Sequence, residues 1–359
     1  MKKLSLPVLA LITATAISTF SCKKNNDASA PPPPANQDGK TMTAFMQSHG
    51  PKFETFTVDA TAGASFTSSK GIKYTIPGGA FVTAGGAAVT GSVTVAVKEI
   101  TTPSDMILSD KPTLASGGRL LQSYGEFFVK ATQNNQDLLL KRDSVVKVQV
   151  PAKPINGQEI PMWGGDSTAS FTLSGYDWLN TAVTLSVQAP VRRGILWNQI
   201  STSYAFFNSS NGSLDFKLDS LIKWRNCDAI ISNSDPKTTF LGYFNSHYNA
   251  VTATDYQGDQ PTSLYFKPHN QNTLVKLYDI ILNATGTHQG FISYENAMPI
   301  GMQGTFLAMS TIDGKFYAEM KDGVIGAPSG SNNYSTLSFD PVEVSESTMV
   351  SLILQLNTK

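Results

Sequence analysis

The chain is poor in the residues that most often carry chemistry. It has two cysteines and four histidines in 359 residues. Charged side chains make up 15% of it, against about 25% in ordinary soluble domains. Its 27 basic residues balance its 27 acidic ones, so no basic face is implied and the composition points away from a nucleic-acid partner. The histidines, His49, His247, His269 and His288, show no close ligand spacing, and no His-Glu-x-x-His pattern occurs. The glycine-rich "GGAFVTAGG" lacks the lysine and the following helix of a phosphate loop and reads as a turn. No Gly-x-Ser-x-Gly elbow is present.

Three other stretches invite chemistry and fall short. "GGDSTAS" resembles the Gly-Asp-Ser start of some lipases, but no Asp-x-x-His follows to orient the base that a serine nucleophile needs. "DYQGDQ" offers Asp255 and Asp259, too few for the 6–8 oxygen ligands that calcium takes. Cys227 in "WRNCD" is flanked by Trp224 and Ile230 and reads as a small buried hydrophobe. The sequence therefore names no catalytic residue, no metal ligand and no cofactor.

What is present begins at the N-terminus. "MKK" is a short positive segment, "LSLPVLALITATAISTF" is an apolar run, and Ser21 precedes Cys22. That order is a secretory signal peptide over residues 1–21. The run is diluted by Ser and Thr, interrupted by Pro7, and short of the ~20 apolar residues a spanning helix needs. "TFSC" resembles the lipobox of bacterial lipoproteins, with Thr19 where an aliphatic residue is usual. The resemblance implies that Cys22 is lipidated; the alternative is a plain signal peptide cut near Ser21, with an idle thiol.

Residues 22–50 read as a lipidated cysteine and a disordered tether. "KKNNDASAPPPPANQDGKT" has almost no side chain large enough to offset its ordering entropy, and Pro31 to Pro34 favour polyproline II. Acyl chains, at ~0.8 kcal/mol per buried CH₂, would hold the chain on a membrane. Lys23 stands where some such lipoproteins carry an inner-membrane retention aspartate, so the resemblance points to the outer membrane. Periplasmic and surface faces both stay open. If Cys22 is acylated, Cys227 is alone and no intrachain disulfide forms.

The body alternates with period two, the mark of half-buried strands. Val93, Val95 and Val97 oppose Ser92, Thr94 and Lys98, while Val146, Val148 and Val150 oppose Lys147 and Gln149. "GEFFVKATQNNQDLLL" reads as a hairpin turning at Asn134 and Asn135, and "TFLAMSTIDGKFYAEM" as one turning at Asp313-Gly314. Clear helical periodicity appears only in "SESTMVSLILQL". There Ser345 is the N-cap, and Met349, Leu352, Ile353 and Leu356 share a stripe. The expected fold is all-β. It has a β-sandwich over 51–151, a Trp-rich β connector over 152–232, and a second β-sandwich with a short terminal helix over 233–359. The connector region holds all four tryptophans: Trp163, Trp178, Trp197 and Trp224.

The segment from Lys73 to Pro151 resembles the β-sandwich module of netrin receptors, ankyrins and tight-junction scaffolds. The matching residues are Ile76, Pro77, Gly79, Ala80 and Phe81, then Leu121, Ser123 and Gly125. Many uncharacterised bacterial lipoproteins look alike here and over "LIKWRNCD". Some relatives of the eukaryotic module cut themselves at His-Phe-Ser; that tripeptide is absent, so self-cleavage is not implied.

Three readings follow. The first is a non-catalytic envelope lipoprotein whose sandwiches bind a protein or glycan or build a surface assembly. The second is a carbohydrate-binding module using exposed aromatics, with Tyr248 and Tyr256 among the candidates; its signature is a coplanar aromatic strip. The third is a hydrolase with an Asp/Glu pair ~5–9 Å apart in a cleft. In the first, the tryptophans are core, and Trp224 wedges the middle segment against a sandwich.

Overall fold

The computed structural model describes residues 37–115, 117–153, 160–166, 170–176, 182–188, 194–251, 260–277, 279–281, 289–328 and 334–359. Among them the fold is all-β, with sandwich-like bodies and a short C-terminal helix.

The alternating valines build the first body. Val93, Val95 and Val97 of strand Ser92–Ile100 are buried, as are Val146, Val148 and Val150 of strand Val146–Pro151. They meet Tyr74, Phe127, Phe216 and Cys227 in one core. At about 25 cal/mol per Å² of apolar surface, each such side chain contributes ~1.5–3 kcal/mol. The Asn134-Asn135 turn has φ of 51° and 61°, the left-handed pair that a tight hairpin requires. After Pro77 the chain turns through Gly78-Gly79. A Cβ on Gly78 would lie 2.3 Å from the Thr61 carbonyl oxygen, and Gly79 has φ +68°.

This first sheet has eleven strands. The last of them in the path, Gln136–Asp137, folds back on Leu121–Gln133. The other ten form an antiparallel ring, because strand Trp224–Ile230 bonds both Ile160–Asp166 and Leu121–Gln133. Closure removes the free edges that an open sheet would expose. The ring draws strands from both sides of residue 151: Lys73–Pro77 and Val146–Pro151 from before it, Leu196–Asn208 and Ser213–Leu218 from after. Residue 151 thus lies between strands of one sheet, and strand Lys237–Phe244 belongs to another.

The second body is two five-stranded sheets. One is built on strand Lys237–Phe244, which pairs in parallel with Tyr334–Phe339. The other is built on Thr262–Pro268 and the hairpin Gln303–Ile312 with Lys315–Val324, turning at Asp313 (φ 51°) and Gly314 (φ 74°). Phe240, Phe244, Phe266, Phe291, Phe306 and Phe339 fill the space between them. Strand Thr262–Pro268 is buried at every position, so both of its faces are covered.

Helices supply the outer cover. They are α1 (Gln37–His49), α2 (Pro103–Leu108) and α3 (Glu346–Gln355). Ser345 caps α3, its Oγ accepting from the Thr348 N–H at 3.1 Å, and Met349, Ile353 and Leu356 are buried as the stripe requires. Helix α1 corrects the sequence reading of a disordered tether to residue 50. Its Met42 and Phe45 are buried against Leu307, Met309 and Met349, and that tertiary contact stabilises a segment whose own polarity would not. Helix α2 also went unread; Thr102 caps it, with Oγ1 accepting from the Asp105 N–H at 3.2 Å. Among the described residues, no helix is long and apolar enough to cross a membrane.

Candidate functional site

The "WRNCD" strand places its side chains alternately on two faces of the ring. Cys227 points into the core, where burial pushes its thiol pKa well up and keeps it protonated, as a small hydrophobe. Trp224, Asn226 and Asp228 face outward, opposite Phe128, Glu126 and Ser123 of strand Leu121–Gln133. A bulge between Asn226 and Asp228 shifts the register there.

That outward face is covered, so Glu126, Asn226 and Asp228 are fully buried. Asn226 Nδ2 donates to Asp228 Oδ2 at 2.5 Å, while neither oxygen of Glu126 has a hydrogen-bond partner. Burial, reinforced by the Asp228 charge, holds the Glu126 carboxyl well above its usual range. Burial likewise raises Asp228 to about 7, against the pull of Ser123 and Asn226. Lys111 lies near enough to favour a charged Glu126, but burial also lowers the lysine's pKa, and its Nζ is bonded to the carbonyls of Ser109 and Asp110. Two buried carboxyls, both shifted toward the protonated form, therefore sit in the seam between the ring and the second body. Neither carboxyl is exposed to solvent.

The same seam is tied by polar bonds. Asn272 Nδ2 donates to the carbonyls of Thr101 and Ser123, Thr273 Oγ1 donates to that of Leu121, and Lys276 Nζ meets Asp110 Oδ1 at 2.7 Å.

The largest described cleft, about 490 Å³, opens beside this seam. Met46 and Gln47 of α1, Lys52 and Phe53 ahead of the first strand, Lys98 on the ring, Leu108 of α2, and Asp110 and Lys276 line it. Lys98 pairs in register with Phe128, and Phe128 with Trp224, making a row across three strands. Burial, together with the charges of Lys111 and Lys52, lowers the Lys98 pKa.

A smaller cleft of about 290 Å³ holds two carboxylates, Glu54 and Glu99. Burial raises the Glu99 pKa, the property of a general acid. Yet Tyr74 Oη donates to its Oε1 at 2.7 Å and Ser68 Oγ to its Oε2 at 3.0 Å. Glu54 Oε2 accepts from the Ser69 N–H at 2.9 Å. Both side chains are thus engaged by the scaffold.

The residues named from sequence fall out as follows. Trp163 and Trp197 are 0% exposed, their indole N–H groups donating to the carbonyls of Asp228 and Pro112. Trp224 is half-buried, 5.3 Å from Phe128 with rings tilted by 50°, and it packs on the cores of both bodies' junction. Tyr248 packs against Phe244 and Phe291. His49 bonds Glu346, His247 stacks on Tyr317, and His269 bonds Thr305. No group of three His, Cys, Asp or Glu suited to a metal occurs among the described residues. Cys22, Trp178, Asp255, Tyr256, Asp259 and His288 lie outside the described residues. Sequence reasoning missed Glu126, Lys98 and Lys111. An acid inside the apolar run "GEFFV" was the available signal for the first.

Comparison with protein-family models and with curated proteins found no match for the chain.

Proposed function

We propose that this is a non-catalytic lipoprotein of the cell envelope, anchored in the outer membrane through Cys22, that presents its β bodies for binding. The observation that carries the reading is the signal-peptide layout ending at Cys22, followed by a polar, proline-rich stretch. The resemblance of Lys73–Pro151 to the sandwich module of netrin receptors, ankyrins and tight-junction scaffolds supports a binding role. Buried tryptophans favour a protein or small-molecule partner over a flat sugar platform, since Trp163 and Trp197 offer no surface for stacking. The engaged carboxylates of Glu54 and Glu99, and the sealed pair Glu126 and Asp228, favour a structural role for the buried acids over hydrolysis.

The test is Cys22→Ala followed by membrane fractionation. The wild-type protein is expected in the membrane pellet, extractable only by detergent, and the variant in the soluble fraction. A variant that still pellets with membranes sinks the anchor.

A further inference from the structure

We infer that the cleft beside Lys98 binds a small organic carboxylate with a compact apolar body. The inference rests on the binding half of the proposed function and is independent of the anchor.

Charge comes first. Three lysines, Lys52, Lys98 and Lys276, line the cleft against one acid, Asp110. Lys276 and Asp110 satisfy each other at 2.7 Å. Lys52 donates to the carbonyl of Gln47. Lys98 is different: half-buried, it has neither a hydrogen bond nor an ion pair among the described residues. The acid that acts on it, Asp105, is occupied by Lys70 Nζ at 2.6 Å and the Thr101 N–H at 3.1 Å. A partly desolvated ammonium without a partner is unfavourable, and an incoming anion relieves it. Ion pairing in such a sheltered place is also screened less by salt than on an open surface.

Shape then narrows the class. Met46, Leu108 and Phe53 form an apolar wall next to the cation, and Phe53 is 44% exposed. Behind them the rings of Phe53 and Phe128 meet edge-on, 6.0 Å apart at 72°, and Phe128 and Trp224 are tilted by 50°. Such a broken surface suits a compact hydrophobic group, whereas an extended sugar chain needs a flat strip. Lys130 Nζ over the Phe53 ring, at 5.0 Å, and Lys111 Nζ over Trp224, at 5.6 Å, extend the positive field along this wall. A divalent phosphate has the charge but nothing for the wall, and a neutral molecule can accept a hydrogen bond from Lys98 but brings no charge to offset it.

The experiment titrates the purified protein calorimetrically with 3-phenylpropionate, 3-phenylpropan-1-ol, 3-phenylpropylamine and inorganic phosphate. Saturable binding of the acid is expected, at least tenfold tighter than the alcohol, with no binding of the amine. Lys98→Met is expected to weaken the acid tenfold or more with an unchanged or higher Tm, because it removes an unpaired charge and keeps the stem. Lys98→Arg should stay within threefold of wild type. Equal affinity for acid and alcohol, phosphate binding as tightly as the acid, or Lys98→Met binding like wild type would each overturn the inference. Failure here leaves Cys22→Ala fractionation untouched, so the two readings fail separately.

Discussion

Replacing Asp228 by asparagine should flatten the dependence of stability on pH. Asp228 has its pKa raised from 3.8 to about 7 by burial in the seam. The folded protein then binds more protons at this site than the unfolded chain between about pH 4 and pH 7. A carboxyl with a raised folded-state pKa contributes stability that is fully present below the unfolded value and lost as pH rises through the folded one. A shift of roughly three units at 1.36 kcal/mol each amounts to about 4 kcal/mol over the whole window. Between pH 5 and pH 8 the share is about 3 kcal/mol, since part of the loss occurs below pH 5. Glu126, raised in the same direction, adds to the trend. The acids held low by their partners, Asp59, Asp219 and Asp322, act only as pH falls through their folded values, below this range. Lys267, lowered to about 8 by burial, adds stability only as pH climbs further, which sets pH 8 as the upper limit. Urea denaturation of wild type at pH 5, 6, 7 and 8 should therefore show a steady fall. Asp228→Asn cannot ionise and should be less dependent on pH by about 3 kcal/mol over that span. Parallel curves for the two proteins would refute the claim that a neutral buried carboxyl is built into the seam.

Two further substitutions probe the packing. Val95→Asp places an unpaired charge in the ring's core, where Val95 is fully buried, and should cost several kcal/mol or prevent folding; an unchanged Tm would mean that the ring's interior is assigned to the wrong face. Trp224→Ala should cost about 2–3 kcal/mol, less than for a fully buried tryptophan because the side chain is half-exposed, and should speed limited proteolysis between the bodies; an unaltered cleavage rate would remove its role as a wedge.

The strands were legible in the sequence because a period of two reports a half-buried sheet face wherever it occurs. Val93 to Val97, Val146 to Val150, the Asn134-Asn135 turn and the Asp313-Gly314 hairpin all follow from local pattern. So did the α3 cap and stripe, which need only about two turns of helix to be visible. The candidate site was not legible. Closure of the ring depends on strand Trp224–Ile230 finding Leu121–Gln133, about a hundred positions earlier, and no local signal encodes that pairing. Helix α1 is polar enough to read as tether, and only contact with the second body's sheet buries Met42 and Phe45. Burial likewise decides the chemistry of the acids. Asp228 and Asp219 are the same residue type, yet one is sealed in a seam and raised while the other meets Arg225 at 3.1 Å and is lowered. Sequence alone determined strands and turns, because these depend on neighbours along the chain. Which lysine lacks a partner, and which carboxyl lacks water, depended on neighbours in space.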